Sequence, residues 1–151
     1  MAPTTIETEH TTAAAPDAVW ALLADVTTWT DWGVWDVARL RSEDPSGGPG
    51  VGAVRELRVE RTRSIEKVLT FEPPRLLEYA LIGGNIPVRN YRGTVTLEPT
   101  ASGGTTIRWS STFKAKLPGT TGMIVGKLQP FIQDTARRLG DAAAQESARR
   151  D

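Results

Sequence analysis

The single histidine of this 151-residue chain is the side chain best suited to move a proton near neutral pH. His10 lies in a run of β-branched residues, 4–12, whose alternation places it on one face of a predicted strand with Ile6 and Thr8. There a neutral imidazole could polarise a ligand carbonyl, although we favour a hydrogen-bonded polar residue near the sheet rim. One histidine cannot build a multi-histidine metal site, so we expect no metal.

The two tyrosines could supply phenol groups to the same inner face of a sheet. Tyr79 shares strand parity with Leu81, and its hydroxyl could donate a hydrogen bond to a ligand carbonyl, as an electrophilic catalyst does. A structural hydrogen bond is the alternative that we favour for this residue. Tyr91 has the parity of Val95 and is also expected to face inward. The candidate catalytic residues are therefore His10 and Tyr79.

Five tryptophans are many for a chain of this length. We expect Trp20 and Trp29 to pack the fold, because a buried indole removes roughly 200 Å² from water, worth several kcal/mol at about 25 cal/mol/Å². We expect Trp32, Trp35 and Trp109 to reach a cavity instead. Their rings would suit a flat polycyclic or aromatic ligand, although the same pattern is equally typical of a closed core.

The strand that carries Trp109 also places Ser111 and Phe113 on its inner face, which gives aromatic walls with one hydroxyl. The candidate ligand-binding residues share inward parity on strands or on the last helix, or lie in the tryptophan-rich segment. They are Trp32, Trp35, Leu57, Tyr79, Tyr91, Val95, Trp109, Ser111, Phe113, Leu128 and Phe131.

Periodicity and turn residues predict the elements that must position these side chains. A helix begins at Pro16, and a second short helix is expected near Thr28, with Asp31 completing a capping arrangement. A helix of roughly 25 residues follows from about Thr121, bent at Pro130 and frayed over 148–151. The predicted strands cover residues 4–12, 37–41, 53–60, 64–71, 76–82, 91–98 and 105–115.

This order predicts an α+β fold in which a curved antiparallel sheet of about seven strands wraps the long C-terminal helix. Six consecutive strands with one apolar face need a cover, and the last helix is the one element large enough to provide it. Whether the space between them is filled or hollow depends on side-chain size, which composition does not decide.

Composition narrows the classes of protein and partner. The length fits one domain, 1–151, and 18 basic against 18 acidic residues leave no net charge to attract nucleic acid. The absence of cysteine excludes a disulfide scaffold, and neither a signal peptide nor an apolar membrane span is evident. The glycine-rich segment 47–52 lacks the following helix and lysine of a nucleotide loop. We therefore expect a cytoplasmic monomer or homodimer without a cofactor.

Several strings together resemble the START-like (SRPBCC) superfamily, and in particular its bacterial polyketide cyclase/dehydrase sequences. Residues 14–26 (A-A-P-D-A-V-W-A-L-L-A-D-V), followed by two tryptophans, look like the opening of that family. Residues 48–52 (G-P-G-V-G) are similar to the glycine loop of the family, and 72–76 (E-P-P-R-L) to its proline hairpin. Residues 91–97 (Y-R-G-T-V-T-L) are similar to its sixth strand. The resemblance implies the helix-grip fold that birch-pollen allergens and lipid-transfer domains share.

The resemblance also implies a ligand inside the fold, and in some members an arginine enters the cavity to anchor a polar group. Arg89, Asn90 and Arg92 are candidates for that role, with solvated surface as the favoured alternative. One hypothesis is a cofactor-independent cyclase, aromatase or dehydratase of a polyketide-like molecule, as in secondary metabolism. A second is a carrier or sensor of a lipid, quinone or aromatic metabolite. A protein-interaction module is a third hypothesis and has the least support.

Overall fold

The computed structural model describes residues 2–150 and shows strands and helices in the order that the sequence predicts. The elements are β1 (Thr4–Thr12), α1 (Pro16–Ala24), a 3₁₀ turn (Val26–Thr28), α2 (Trp29–Trp32), β2 (Val37–Ser42), β3 (Val54–Val59), β4 (Thr62–Glu72), β5 (Leu76–Gly84), β6 (Val88–Pro99), β7 (Thr105–Ala115) and α3 (Thr121–Arg150). The predicted α+β helix-grip class is confirmed.

The seven strands form one antiparallel sheet in the order β1-β7-β6-β5-β4-β3-β2. Consecutive strands from β2 to β7 are neighbours. Strand β1 forms one edge of the sheet beside β7 and β2 forms the other, and the two short helices connect these two edges. The register shifts in β2 between Leu40 and Ser42, in β4 between Ile65 and Glu66, and in β6 between Arg89 and Arg92. Such bulges bend a strand and increase its twist, which allows the sheet to curve around α3.

The short helices begin and end at polar or conformationally restricted residues. Pro16 stands at the start of α1, where its missing N–H costs nothing. The 3₁₀ turn is capped by Asp25, whose carboxylate accepts a hydrogen bond from the Thr27 backbone N–H at 3.0 Å. The predicted cap of Thr28 with Asp31 is wrong, because the Thr28 hydroxyl donates to the Leu22 carbonyl oxygen instead.

Helix α3 is longer than predicted. It has 30 residues and, at 1.5 Å per residue, spans about 45 Å. It continues to Arg150, and residue 151 lies outside the described residues. Fraying over 148–150 stays a prediction. Pro130 is inside the helix, as predicted. No helix within residues 2–150 is long and apolar enough to cross a membrane.

The C-terminal part of α3 packs closely on β1 and on α1. Ala136, Leu139 and Ala143 are fully buried, and the Thr12 hydroxyl of β1 donates to the Gly140 carbonyl oxygen at 2.8 Å. A Cβ atom on Gly140 would lie 2.8 Å from His10 Cδ2, so glycine permits this approach of helix and sheet. This end of the interior is a filled core.

Candidate ligand-binding cavity

The other end of the interior is hollow. A cavity of about 360 Å³ lies between the N-terminal part of α3 and the concave face of the sheet. Pockets that bind drug-sized molecules measure roughly 300–1,000 Å³, so the space is large enough for a compound of a few rings. Asn85 and Ile86 of the β5–β6 turn, with Met123 and Lys127 of α3, lie at its border. The space between the sheet and this part of α3 is therefore a cavity.

Aromatic rings form much of the wall. Those that line the cavity are Trp29, Trp35, Tyr79, Tyr91, Trp109 and Phe131. Trp35 contacts Phe131 edge to face with ring centroids 5.8 Å apart, and Trp29 lies 5.0 Å from Trp35 and 6.0 Å from Trp109. Such ring clusters are stabilised by their tilted and edge-to-face contacts, so the wall keeps its shape.

Hydrogen bonds to residues of β7 hold the two phenols. Trp109 Nε1 donates to the Tyr79 hydroxyl at 3.1 Å, and the Tyr91 hydroxyl lies 2.6 Å from Ser111 Oγ. The Tyr79 ring packs against Gly93, where an added Cβ would come within 2.2 Å of Tyr79 Cζ. Glycine at that position of β6 therefore fixes where the phenol sits.

Burial keeps both phenols protonated. Desolvation raises the pKa of Tyr79 well above its ordinary value, and the neighbouring Tyr91 and Glu66 add to the effect. Desolvation also raises the pKa of Tyr91 to about 12, against the opposing hydrogen bond from Ser111. At neutral pH both groups can therefore donate a hydrogen bond.

A buried ion pair stands beside these phenols. Arg55 of β3 and Glu66 of β4 are direct cross-strand partners, with Arg55 Nη2 donating to Glu66 Oε1 at 2.5 Å. Arg55 is 2% exposed and Glu66 is 7% exposed. The guanidinium lies 4.7 Å from the Trp29 ring centroid and 5.0 Å from that of Tyr79, in cation–π contact with both. Glu66 lines the cavity.

The sequence analysis missed this pair, although strand parity contained the signal. Arg55 has the parity of Leu57, which was predicted to face inward, and Glu66 has the parity of the buried Val68. The sequence alone does not single out these two residues, because most charged side chains on strands are solvated. A cation and an anion at inward positions of neighbouring strands neutralise each other and can be buried together.

Seven of the predicted ligand-binding residues line the cavity, namely Trp35, Leu57, Tyr79, Tyr91, Trp109, Leu128 and Phe131. The other four do not. Trp32 packs on the outer side of Trp29 and Trp35, with its Nε1 donating to Thr28 Oγ1 at 3.1 Å. Behind the wall are three further buried side chains: Ser111, which holds the Tyr91 hydroxyl, Phe113, which stacks on the Tyr91 ring, and Val95.

His10 is not part of the wall. It lies on the same face of β1 as the buried Ile6, as predicted. However, it pairs with Ile107 of β7, at the filled end of the interior. Its Nε2 is 3.9 Å from Asp141 Oδ1, and the imidazole packs beside Gly140 of α3. The prediction that placed His10 beside the ligand is corrected, because parity assigns a face of the strand but not a position along the helix.

The arginine-anchor candidates are also placed elsewhere. Arg89, Asn90 and Arg92 are exposed, and the bulge in β6 falls within this segment. Arg55 is the arginine next to the cavity, behind Glu66. For a metal, the part of the chain that the structure describes holds no group of three or more histidine or acidic side chains that could bind one.

Comparisons with known proteins agree with this geometry. Residues 3–144 match a family model described as polyketide cyclase / dehydrase and lipid transport. No curated protein matches the chain significantly.

Solved structures similar to this fold cover nearly the whole chain. A START superfamily protein from Mycobacterium smegmatis is 15% identical with a TM-score of 0.80, and the match covers 93% of this chain and 97% of that one. The protein XoxI from Bacillus cereus is 24% identical with a TM-score of 0.73, covering 94% and 95%. Ara h 8.0201 is 16% identical with a TM-score of 0.75, covering 95% and 99%. At these identities the likeness shows the fold.

Proposed function

Because the chain belongs to the polyketide cyclase / dehydrase and lipid transport family, we propose that its cavity binds a small, largely apolar molecule with a flat ring system. Family and fold indicate a hydrophobic ligand-binding domain. The observation that carries the proposal is the cavity of about 360 Å³ with its aromatic wall. A polycyclic or polyketide-like compound fits, because rings stack on rings and few polar groups need partners.

Probe binding to the cavity tests this proposal. The neutral dye N-phenyl-1-naphthylamine should bind the wild-type protein with a rise in its fluorescence, because the cavity wall is largely apolar. Leu128→Trp should abolish the signal, since the indole would project from α3 into the space that the dye needs. Leu117→Trp is the matched control, because Leu117 is 61% exposed and does not line the cavity.

Two results would contradict the proposal. One is a wild-type protein that does not bind the dye. The other is a Leu128→Trp variant that binds it as tightly as Leu117→Trp while showing the wild-type circular dichroism spectrum.

A second candidate is catalysis of cyclisation or dehydration without a cofactor. It is supported by the Glu66 carboxylate and the Tyr91 phenol on the wall of one cavity. The carboxylate would remove a proton from a carbon between two carbonyl groups, and the electron pair of that C–H bond would form a C–C bond to a third carbonyl carbon. Tyr91 would protonate the resulting alkoxide, and the proton on Glu66 would then return to the phenolate.

Proton exchange distinguishes the enzyme from a carrier. In D2O the bicyclic ketone 2-tetralone should exchange its C1 protons faster with the wild-type protein than in buffer. Glu66→Gln should remove the acceleration, and Glu9→Gln, which changes the same charge on an exposed side chain, should not. Exchange no faster than in buffer, together with a co-purified ligand that native mass spectrometry shows unchanged, would favour the carrier.

A further inference from the structure

The charged side chain that faces the cavity interior is an acid. Glu66 lines the cavity, whereas its partner Arg55 stands behind the wall, 2% exposed, between the rings of Trp29 and Tyr79. A ligand inside the cavity therefore meets the carboxylate of this ion pair before it meets the guanidinium.

The carboxylate has hydrogen-bonding capacity left for a ligand. Glu66 Oε1 accepts from Arg55 at 2.5 Å, and Oε2 lies 3.4 Å from Ser64 Oγ, at the long limit of a hydrogen bond. An ionised carboxylate accepts about four hydrogen bonds, so acceptor positions are free on the cavity side. The guanidinium is engaged by the carboxylate and the two rings, and its Nε has no hydrogen-bond partner in residues 2–150.

The two phenols of the wall differ in what they can offer a ligand. The Tyr91 hydroxyl pairs with Ser111 at 2.6 Å, whereas the Tyr79 hydroxyl accepts from Trp109 and keeps its own O–H as a neutral donor, which does not balance the charge of a ligand carboxylate. Lys127 is the cation among the lining residues, but it is exposed at the border, where water and salt weaken its attraction. A ligand carboxylate placed inside would instead stand near the like charge of the wall.

We propose that this cavity selects neutral ligands carrying a hydrogen-bond donor, such as a phenol or an alcohol, and that the donor binds the Glu66 carboxylate. The proposal rests on the proposed binding function of the same cavity and adds the chemical class of the ligand. A hydrogen bond to an ionised acceptor that is buried, as Glu66 is, is stronger than one between neutral groups, and an unpaired buried charge is unfavourable. Fatty acids and aromatic acids are therefore disfavoured, and their neutral alcohols are favoured.

Three probes with one ring system test this selectivity by displacing N-phenyl-1-naphthylamine at pH 7. Naphthalene carries no polar group, 2-naphthol carries a hydrogen-bond donor, and 2-naphthoate carries a negative charge. We expect 2-naphthol to bind about tenfold tighter than naphthalene, and 2-naphthoate about tenfold weaker. In Glu66→Gln the advantage of naphthol should fall below about threefold, and naphthoate should gain about tenfold. Glu9→Gln should keep the wild-type order.

Glu66→Gln leaves Arg55 without its counter-ion and could therefore fold poorly. In that case the order of the three affinities in the wild-type protein tests the proposal by itself. Affinities of the three probes within about threefold of one another would overturn the selectivity and leave the binding function intact. Naphthoate as the tightest ligand would also overturn it. Failure of the dye and of every probe to bind would instead overturn the binding function.

Discussion

The two ends of the interior are built from the same sheet and the same helix, yet one is filled and the other is hollow. At the filled end α3 presents Ala136, Gly140 and Ala143, small residues that bring its backbone against β1. At the hollow end the glycines of α3, Gly122 and Gly126, are exposed to solvent and do not line the cavity. Small residues of α3 thus meet the sheet at the filled end, whereas those of the hollow end face solvent.

The difference lies in what stands opposite the helix. Facing the filled end are the edge strand β1 and the short helix α1, which approach α3 closely. Facing the hollow end are large rings tied back to the sheet by hydrogen bonds, so they do not collapse inward. Pro130 separates the two parts of α3 and leaves the Gly126 carbonyl without its helical N–H donor. Two of the rings that line the cavity are thus held in place by hydrogen bonds to β7.

The largest expected contrast comes from removing one leucine at each end of α3. Leu139→Ala should destabilise the protein by about 2–5 kcal/mol, because Leu139 is fully buried in the filled core and its deletion leaves a void. Leu128→Ala should cost about 1 kcal/mol or less, because that side chain already borders empty space. Urea unfolding measures both. Equal losses would show that the hollow end is packed as tightly as the filled one.

Sequence periodicity predicted the fold well because strands of period two and a long helix of period 3.6 are local patterns. Parity also placed Tyr79, Tyr91 and Trp109 on the inner face, where they line the cavity. It could not say how far along α3 each residue lies, which is why His10 was a catalytic candidate beside the ligand as well as, in the favoured alternative, a polar residue near the sheet rim. That distance depends on sheet curvature and on bulges, which appear only in the register.

The ion pair was missed for a different reason. In β3 the string V-R-E-L-R-V buries both Arg55 and Glu56, so hydropathy does not reveal which face is inner. Glu56 is balanced by Arg39, whose Nη2 donates to it at 2.8 Å, while Arg55 is balanced by Glu66. Each pair joins residues on neighbouring strands, and the partner is known only once the strands are aligned.

Alkaline pH should weaken the hollow end selectively, because both tyrosines of the chain line the cavity. The pKa of Tyr91 is raised to about 12 in the folded protein, whereas a tyrosine in an unfolded chain titrates near 10. Below about pH 10 both states hold the proton and the full stability is present. Between about pH 10 and 12 the unfolded state loses its proton first, so stability should fall by about 1–3 kcal/mol.

Tyr91→Phe should flatten this alkaline decline, as measured by urea unfolding at a series of pH values. Lysine and arginine titration is common to both proteins and cancels in the difference between them. An unchanged slope in the variant would mean that the Tyr91 phenol is hydrated in the folded state, and the cavity would then be wet at that wall.

The smallest effect, and the sharpest comparison within one helix, comes from replacing one glycine with alanine on each side of Pro130. Gly126→Ala should stabilise the protein by about 0.5–1 kcal/mol, because alanine favours the helix and the Cβ atom at this exposed position would point into solvent. Gly140→Ala should gain nothing or lose stability, because its Cβ would lie 2.8 Å from His10 Cδ2 and 3.2 Å from Thr12 Cβ. Thermal unfolding of the two variants gives the sign of each change. Equal stabilisation of both would mean that β1 yields easily to the helix, and the contrast between a filled and a hollow end would then rest on the aromatic wall alone.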